Sequence, residues 1–372
     1  MLVGVPKEIK NREYRVGLTP ASVRELVAGG HEVLVQHNAG YEIGFTNEMY
    51  KAVGAQIIAS ASEIFATADM IVKVKEPQAV ECTMLRPGQI LYTYLHLAPD
   101  PLQTEALIKS GCIAIAYETV TDEFGGLPLL APMSEVAGRM SIQAGAHALE
   151  MSQGGCGMLL GGVPGVEPAK VTIIGGGVVG TNAARMAVGM GAEVVILDRS
   201  LRRMQQLDDI FQGRVKTVYS TQDAVEEHVL ASDLTVGAVL IPGAAAPKLV
   251  TREMISRMKR GSVLVDVAID QGGCFETSKA TTHENPTYII DEVVHYCVAN
   301  MPGGVARTST LALNNATLGY ALAIANNGWK KAMLHDKRLL EGLNICEGKV
   351  TYEAVARDQQ LDFVPARDAV GG

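Results

Sequence analysis

The run Val171-Thr-Ile-Ile-Gly175-Gly-Gly177-Val-Val-Gly180, near the middle of the chain, constrains the fold more than any other segment. Four β-formers lead into the glycines, and the small and apolar residues from Val178 to Met190 then suit a helix packed closely on a sheet. Gly175 permits a tight turn, Gly177 lets a pyrophosphate approach the backbone, and Gly180 lets helix and strand come close, so that the helix N-terminal N–H groups face the phosphates. The next strand, Glu193-Val-Val-Ile-Leu197, ends on Asp198, where a carboxylate can hydrogen-bond both hydroxyls of an adenosine ribose. Glycines alone would be weak support. Strand, helix, second strand and terminal acid in this order read as a dinucleotide site, whereas a Gly-rich turn serving only close packing leaves Asp198 without a role.

The same alternation runs through the whole chain. Apolar strands are expected at Leu2 to Val5, Val33 to Val35, Met70 to Val74, Ile90 to Tyr94 and Ile113 to Ala116, separated by helix-like segments such as Ala21 to Ala28. A longer helix is expected from Ser134, its N-cap candidate, to Met151, followed by a Gly/Pro-rich connector from Gly154 to Gly165. The nucleotide unit repeats the pattern at 171–174, 193–197, Val215 to Tyr219, Leu234 to Val239 and Val263 to Val267. Helices from about Thr308 to Ala325 and near Trp329 to Leu340 close the chain. Strands alternating with helices specify parallel sheets with crossover connections. The expected fold is therefore α/β, with two Rossmann-like doubly wound units and the nucleotide unit inserted between the first unit and a helical tail.

At 372 residues the chain suits two domains of roughly 150 residues or a little more, and its 48% apolar content can fill their cores. A net charge of −8 without any Lys/Arg-rich block argues against nucleic acid as a partner. The amino terminus lacks a basic region followed by an apolar core, and each long apolar stretch is interrupted before reaching the roughly 18 residues of a membrane span. A soluble, cytoplasmic protein without membrane association is the expectation. The six cysteines are scattered, with no CxxC pair, which reads as reduced structural thiols.

In open parallel sheets ligands collect outside the carboxyl ends of strands, so polar residues just after strands carry the most weight. Arg15 follows the first strand, Lys75 closes Met70 to Val74, His96 follows Ile90 to Leu95, and Asp270 comes just after Val263 to Val267. Each has a bland alternative: a solvated charge for Arg15, a snorkelling side chain for Lys75, a hydrogen-bonded core histidine for His96, and a turn cap before Gly272-Gly273 for Asp270. Two cations, an imidazole and a carboxylate on the cleft side of two sheets expected to face each other point instead to a reaction site.

Over nearly its whole length the sequence resembles the bacterial alanine dehydrogenases. The resemblance rests on Val5-Pro-Lys-Glu-Ile-Lys-Asn11, Arg15-Val-Gly-Leu-Thr-Pro20, Val72-Lys-Val-Lys75-Glu-Pro77 and Thr93-Tyr-Leu-His96-Leu-Ala. It continues through Pro132-Met-Ser134-Glu-Val-Ala-Gly138-Arg, Leu160-Gly-Gly-Val-Pro-Gly165-Val, Val265-Asp-Val-Ala-Ile-Asp270-Gln-Gly-Gly-Cys274-Phe-Glu and Tyr296-Cys-Val-Ala-Asn300-Met-Pro302. It implies NAD-linked interconversion of L-alanine with pyruvate and ammonium by a homo-hexamer. The implied subunit has a substrate domain (1–130 and 308–372) around an NAD-binding domain (131–307).

Residue roles follow from the same resemblance. Arg15 and Lys75 would hold the substrate carboxylate, His96 would be the acid/base, and Asp270 the second catalytic residue. Ser134, Gly175, Gly177, Val178, Val179, Gly180, Asp198, Arg203, Ser220, Val239, Leu240, Val267, Ala268, Ile269, Asp270, Lys279, Asn300 and Met301 match cofactor-lining positions. Three residues depart from the usual pattern: Arg199 stands where an aliphatic residue is usual, Ala245 replaces a Lys, and Lys279 replaces an Arg. Ala323 and Asn327 occupy positions where some members carry a Glu and a His, so no metal is expected. The alternatives are the NAD-binding unit of a transhydrogenase, which would need membrane segments or a membrane partner, and a saccharopine- or opine-type dehydrogenase acting on a larger amino acid.

Overall fold

The protein is described by a computed structural model covering residues 1–239 and 246–371. Its strands are β1 (Leu2–Val5), β2 (Glu32–Gln36), β3 (Gln56–Ile58), β4 (Met70–Val72), β5 (Ile90–Thr93), β6 (Ile113–Ala116), β7 (Lys170–Ile174), β8 (Glu193–Asp198), β9 (Val215–Tyr219), β10 (Leu234–Gly237), β11 (Val263–Asp266), β12 (Thr287–Ile290), β13 (Val293–Tyr296), β14 (Leu343–Cys346) and β15 (Lys349–Val350). The chain divides into two compact units, Met1–Pro132 with Val305–Gly372, and Met133–Gly304.

In the first unit the sheet order is β15-β14-β6-β5-β4-β1-β2-β3. β1 through β6 pair in parallel, while β14 and β15 extend one edge antiparallel. One face buries Ile71, Leu91, Ala114 and Ile345 against Ile64, Phe65 and Leu107 from crossover helices. On the other face the late helix Ala306–Asn327 returns to the sheet, where the Tyr92 hydroxyl donates to the Thr317 carbonyl (3.2 Å). Asn314 of that helix accepts from the Thr19 backbone (2.8 Å) and the Ser22 hydroxyl (2.7 Å) at the start of the helix Pro20–Ala28. Buried polar pairs of this kind tie the two ends of the chain into one unit.

In the second unit the order is β12-β13-β11-β10-β7-β8-β9, parallel except for the β12–β13 hairpin. Val171, Ile173, Val194, Ile196, Val263 and Val265 face one core. Ile174, Val195, Leu197 and Leu264 face another on the opposite side. Burial on both faces explains why these strands read as continuous apolar runs rather than alternating ones.

Several boundaries differ from the sequence expectation, each for a local reason. The helix expected from Ser134 begins at Ala131 and ends at Ala148. Pro132 lies in its first turn, where a missing N–H costs nothing, so Ser134 is not the N-cap. Met151 belongs to a separate short turn, Met151–Gln153. The segment near Trp329 to Leu340 is two helices, Trp329–His335 and Lys337–Leu340, divided by Asp336, whose side chain caps the second. β4 stops at Val72, because the Val74 and Lys75 amides are taken by the Glu8 side chain rather than by a neighbouring strand. The edge strand β3 and the marginal hairpins β12–β13 and β14–β15 are not among the expected strands. The tight turns of the two hairpins, Asp291-Glu292 and Glu347-Gly348, adopt positive φ without the Asn-Gly or Asp-Gly pairs that usually announce such hairpins.

The double-sided core sets an expectation for stability. Ile173→Ala, in a fully buried position of β7, should lower unfolding free energy by about 2–5 kcal/mol. Ile210→Ala, 38% exposed, should change it by no more than about 0.5 kcal/mol. Urea titration followed by circular dichroism checks both, and equal effects would contradict the assigned core.

Candidate active site

In the first unit, Arg15, Lys75 and His96 follow β1, β4 and β5, which are neighbours in the sheet where strand order reverses. Arg15 is not a solvated charge: it is 2% exposed. Its Nε and Nη2 donate to Glu13 Oε1 (2.7 Å) and Oε2 (2.6 Å), and its backbone N–H donates to the same Oε1 (3.0 Å). Burial pulls the guanidinium pKa down, but the Glu13 carboxylate outweighs it and holds Arg15 above its usual value. This bidentate pair fixes the guanidinium plane. Lys75 is partly buried, with Nζ 3.7 Å from Glu76 Oε2. Glu76 also pairs with Lys10. Burial opposes ionisation of Glu76, yet Lys75 and Lys10 together hold its carboxyl below the usual range.

His96 is not a core histidine: its side chain is 47% exposed. Its backbone lies at φ 50°, a left-handed conformation that costs a non-glycine residue about 1–3 kcal/mol and persists only where its surroundings impose it. Glu118 imposes it, accepting the Leu95 and His96 backbone N–H groups at 3.1 and 2.6 Å. The same carboxylate stands 3.9 Å from His96 Nδ1. The imidazole also stacks on Tyr94, with centroids 5.7 Å apart and planes 6° from parallel. The result is an exposed imidazole with a fixed ring plane and an adjacent carboxylate, an arrangement suited to moving protons.

In the second unit the candidate residues gather beyond the carboxyl ends of β7, β8, β9, β10, β11 and β13, around the reversal between β7 and β10. Gly175 has φ 104°. A Cβ on Gly180 would lie 1.8 Å from the Gly175 carbonyl oxygen, so only glycine fits. A Cβ on Gly177 would meet no protein atom within 4 Å. The space over Gly177 and the start of the helix Val178–Gly189, with Val178 exposed and Val179 half-buried, is thus open in the way a diphosphate needs. Asp198 proves to have a structural role after all, since Oδ2 accepts the Gly176 N–H (2.7 Å) and Oδ1 the Ser200 N–H (2.8 Å). Arg203 closes the loop from the other side, donating to the Gly176 carbonyl (2.7 Å) and the Thr181 hydroxyl (2.6 Å). Ser220 follows β9, and its N–H donates to the Asp198 carbonyl (2.9 Å).

Val239 follows β10, and Val267, Ala268, Ile269 and Asp270 form the turn after β11. Asp266, not Asp270, caps that turn. Its buried carboxylate accepts the N–H groups of Ala268 (3.1 Å) and Cys274 (2.9 Å) and the Ser278 hydroxyl (2.5 Å). Asp270 is left exposed, with Oδ1 accepting the Asn300 N–H at 3.4 Å. Met301 is only 3% exposed and packs in the core. Lys279 is exposed, its N–H donating to the Tyr288 hydroxyl (2.8 Å). Ser134 sits half-buried in the first turn of its helix.

Comparison with known proteins matches two family models in tandem: alanine dehydrogenase/PNT, N-terminal domain, over residues 4–137, and alanine dehydrogenase/PNT, C-terminal domain, over 141–353. The chain belongs to the alanine dehydrogenase/PNT family. An alanine dehydrogenase of Halomonas elongata is 62% identical over the full length of both chains. One of Bacillus subtilis is 57% identical over all of this chain and 98% of its own. Among solved structures, an L-alanine dehydrogenase superposes with a TM-score of 0.94 at 50% identity, covering 97% of this chain and 99% of its own. A transhydrogenase from Sinorhizobium meliloti gives 0.81 at 25% identity, covering 95% and 100%.

Against this family background, Leu240 and Ala245 lie outside the described residues. Sequence reasoning overlooked Glu13, Glu118 and Asp266. Glu118 had a usable signal, since it follows β6 by the same strand-end rule that singled out His96. Glu13 and Asp266 also fall at strand ends, after β1 and at the close of β11, but their carboxylates organise neighbouring groups, which a pattern of residue types does not show.

The two glycines separate packing from ligand space. Gly177→Ala should leave the melting temperature unchanged and weaken NADH binding by about tenfold or more, because its methyl occupies only the space a diphosphate would fill. Gly180→Ala should lower both. NADH fluorescence titration with thermal melting checks this, and full NADH affinity in Gly177→Ala would contradict the placement.

Proposed function

We propose that the protein is an NAD-linked L-alanine dehydrogenase, interconverting L-alanine with pyruvate and ammonium. The observation that carries this reading is the full-length likeness to alanine dehydrogenases, joined to a chain that places two cations and a fixed imidazole at adjacent strand ends. In this reading the substrate domain (1–130 and 308–372) binds the amino or keto acid, and 131–307 binds NAD.

When bound, the nicotinamide supplies and accepts the hydride. The residues of the chain do the rest. Arg15, with its plane set by Glu13, and Lys75 grip the substrate carboxylate and aim its α-carbon, converting an encounter into an oriented reaction. In deamination the α-carbon loses hydride and becomes an iminium. Water then adds, and His96 takes its proton and returns one to nitrogen as pyruvate and ammonium separate. Glu118 steadies the imidazolium formed in between. Asp270, an exposed anion, stabilises the cationic imine and orients the water. Asp198 favours NAD over NADP, because its carboxylate repels a 2′-phosphate, and Arg203 is committed to the glycine loop rather than available to compensate.

The family likeness also supports a cytoplasmic homo-hexamer. No helix among the described residues is long and apolar enough to cross a membrane. Sedimentation showing a monomer would remove the hexamer.

NADH oxidation should require pyruvate and ammonium together and be faster than NADPH oxidation. Activity with 2-oxoglutarate and lysine but not with pyruvate would favour the saccharopine-type alternative. Arg15→Ala and Lys75→Ala should each cost about 2–5 kcal/mol in kcat/KM for pyruvate, with NADH affinity barely changed. His96→Gln should lower turnover roughly 10²-fold or more. Full activity in any of the three would refute the role assigned to that residue.

A further inference from the structure

A cluster of ions lies beneath Lys75 that no step above uses. Lys73, one residue beyond β4, has a side chain with no solvent exposure, and its Nζ stands 3.0 Å from Glu8 Oε2 and 2.8 Å from Glu81 Oε1. The carboxylates are also nearly without exposure. Burial pulls the ammonium pKa down, but the two carboxylates outweigh it and hold Lys73 above its usual value. Burial, with Glu81 beside it, pushes the Glu8 carboxyl up.

Burying three ions is expensive, and apolar residues of similar volume would often hold a fold as well or better. The cluster's other contacts show what it achieves. Glu8 Oε1 accepts the N–H groups of Val74 (2.7 Å) and Lys75 (3.3 Å). Glu81 Oε2 accepts the Gln78 N–H (2.8 Å), and the Tyr117 hydroxyl donates to the Lys73 carbonyl (3.0 Å). The carbonyl of Lys75 is held as well, by the Thr93 hydroxyl at 2.9 Å. Peptide groups on both sides of Lys75 are thereby fixed, and the carboxylate that fixes one of them cannot rotate, because its second oxygen is anchored on Lys73.

We propose that Glu8 is a positioning residue for the substrate-carboxylate clamp: anchored on the buried Lys73–Glu81 pair, it sets the backbone from which Lys75 reaches the substrate, with Thr93 as its counterpart on the carbonyl side. The proposal rests on the reading of Lys75 as a carboxylate ligand. Glu8 touches no substrate and acts only through Lys75. Because a side chain of four methylenes multiplies any error at its root, loss of this anchor appears first in substrate capture.

Steady-state amination of pyruvate and NADH titration of the full chain test this in Glu8→Ala, Glu8→Gln, Thr93→Val and Lys75→Ala. Glu8→Ala should raise KM for pyruvate about tenfold or more and leave NADH affinity within about twofold. Glu8→Gln keeps one acceptor oxygen for the amides but turns an NH2 group toward the Lys73 ammonium, so it should recover part of the loss, with KM between those of wild type and Glu8→Ala. A purely structural role would lower the melting temperature of Glu8→Ala without a KM that Glu8→Gln rescues. Thr93→Val, nearly isosteric and leaving all three buried ions in place, should raise KM several-fold, and it decides the matter if Glu8→Ala does not fold. Unchanged KM in folded Glu8→Ala, or in Thr93→Val, overturns the proposal. Unchanged KM in Lys75→Ala overturns the reading of Lys75 itself, whereas an impaired Lys75→Ala beside unimpaired Glu8→Ala and Thr93→Val overturns only the positioning role.

Discussion

A parallel sheet sends the carboxyl end of every strand to one edge, and where strand order reverses, the connections leave in opposite directions and open a crevice. Each unit of this protein has such a reversal beside its first strand, between β1 and β4 in one and between β7 and β10 in the other. Residues distant in sequence therefore become neighbours without any special device. Arg15, Lys75 and His96 follow three adjacent strands. Asp198 and the glycine loop follow another pair, β7 and β8. The chemistry of the protein is an elaboration of this edge.

The elaboration is made largely by buried and half-buried carboxylates. Glu13 holds the Arg15 guanidinium, Glu8 the amides around Lys75, Glu118 the left-handed turn at His96, Asp198 the glycine loop and Asp266 the turn that presents Asp270. An acid accepting two or three hydrogen bonds in a poorly solvated place is a stiff support, stronger than neutral acceptors would be. It is also costly to bury unless paired, and the buried acids Glu8, Glu81 and Glu13 of the first unit are paired with Lys73 and Arg15. These supports account for how short loops at strand ends can hold reactive side chains in defined places.

The sequence disclosed most of the parallel strands, because strands buried on both faces leave short apolar runs such as Val263-Leu-Val and Ile113-Ala-Ile, spaced between helix-like segments. The glycine fingerprint was legible too, as the clash at Gly180 admits no other residue. What escaped was set by tertiary contact rather than local pattern. β4 is cut short by a side chain from beyond β1, and the hairpin turn at Asp291-Glu292 takes a strained conformation that its residue types do not favour. Lys73 reads as one more polar residue in an apolar run, and only the fold shows it to be enclosed between two acids.

The central claim is that the chain transfers hydride between a nucleotide held at one set of strand ends and the α-carbon of alanine held at another. The most direct measurement is to supply NADH deuterated at the transferable position of nicotinamide C4, with pyruvate and ammonium, and to determine where the label goes by mass spectrometry and NMR. The account predicts L-alanine carrying deuterium at its α-carbon, in proportion to the NADH consumed. Nucleotide bound but not oxidised, or oxidised with no label in alanine, would contradict it.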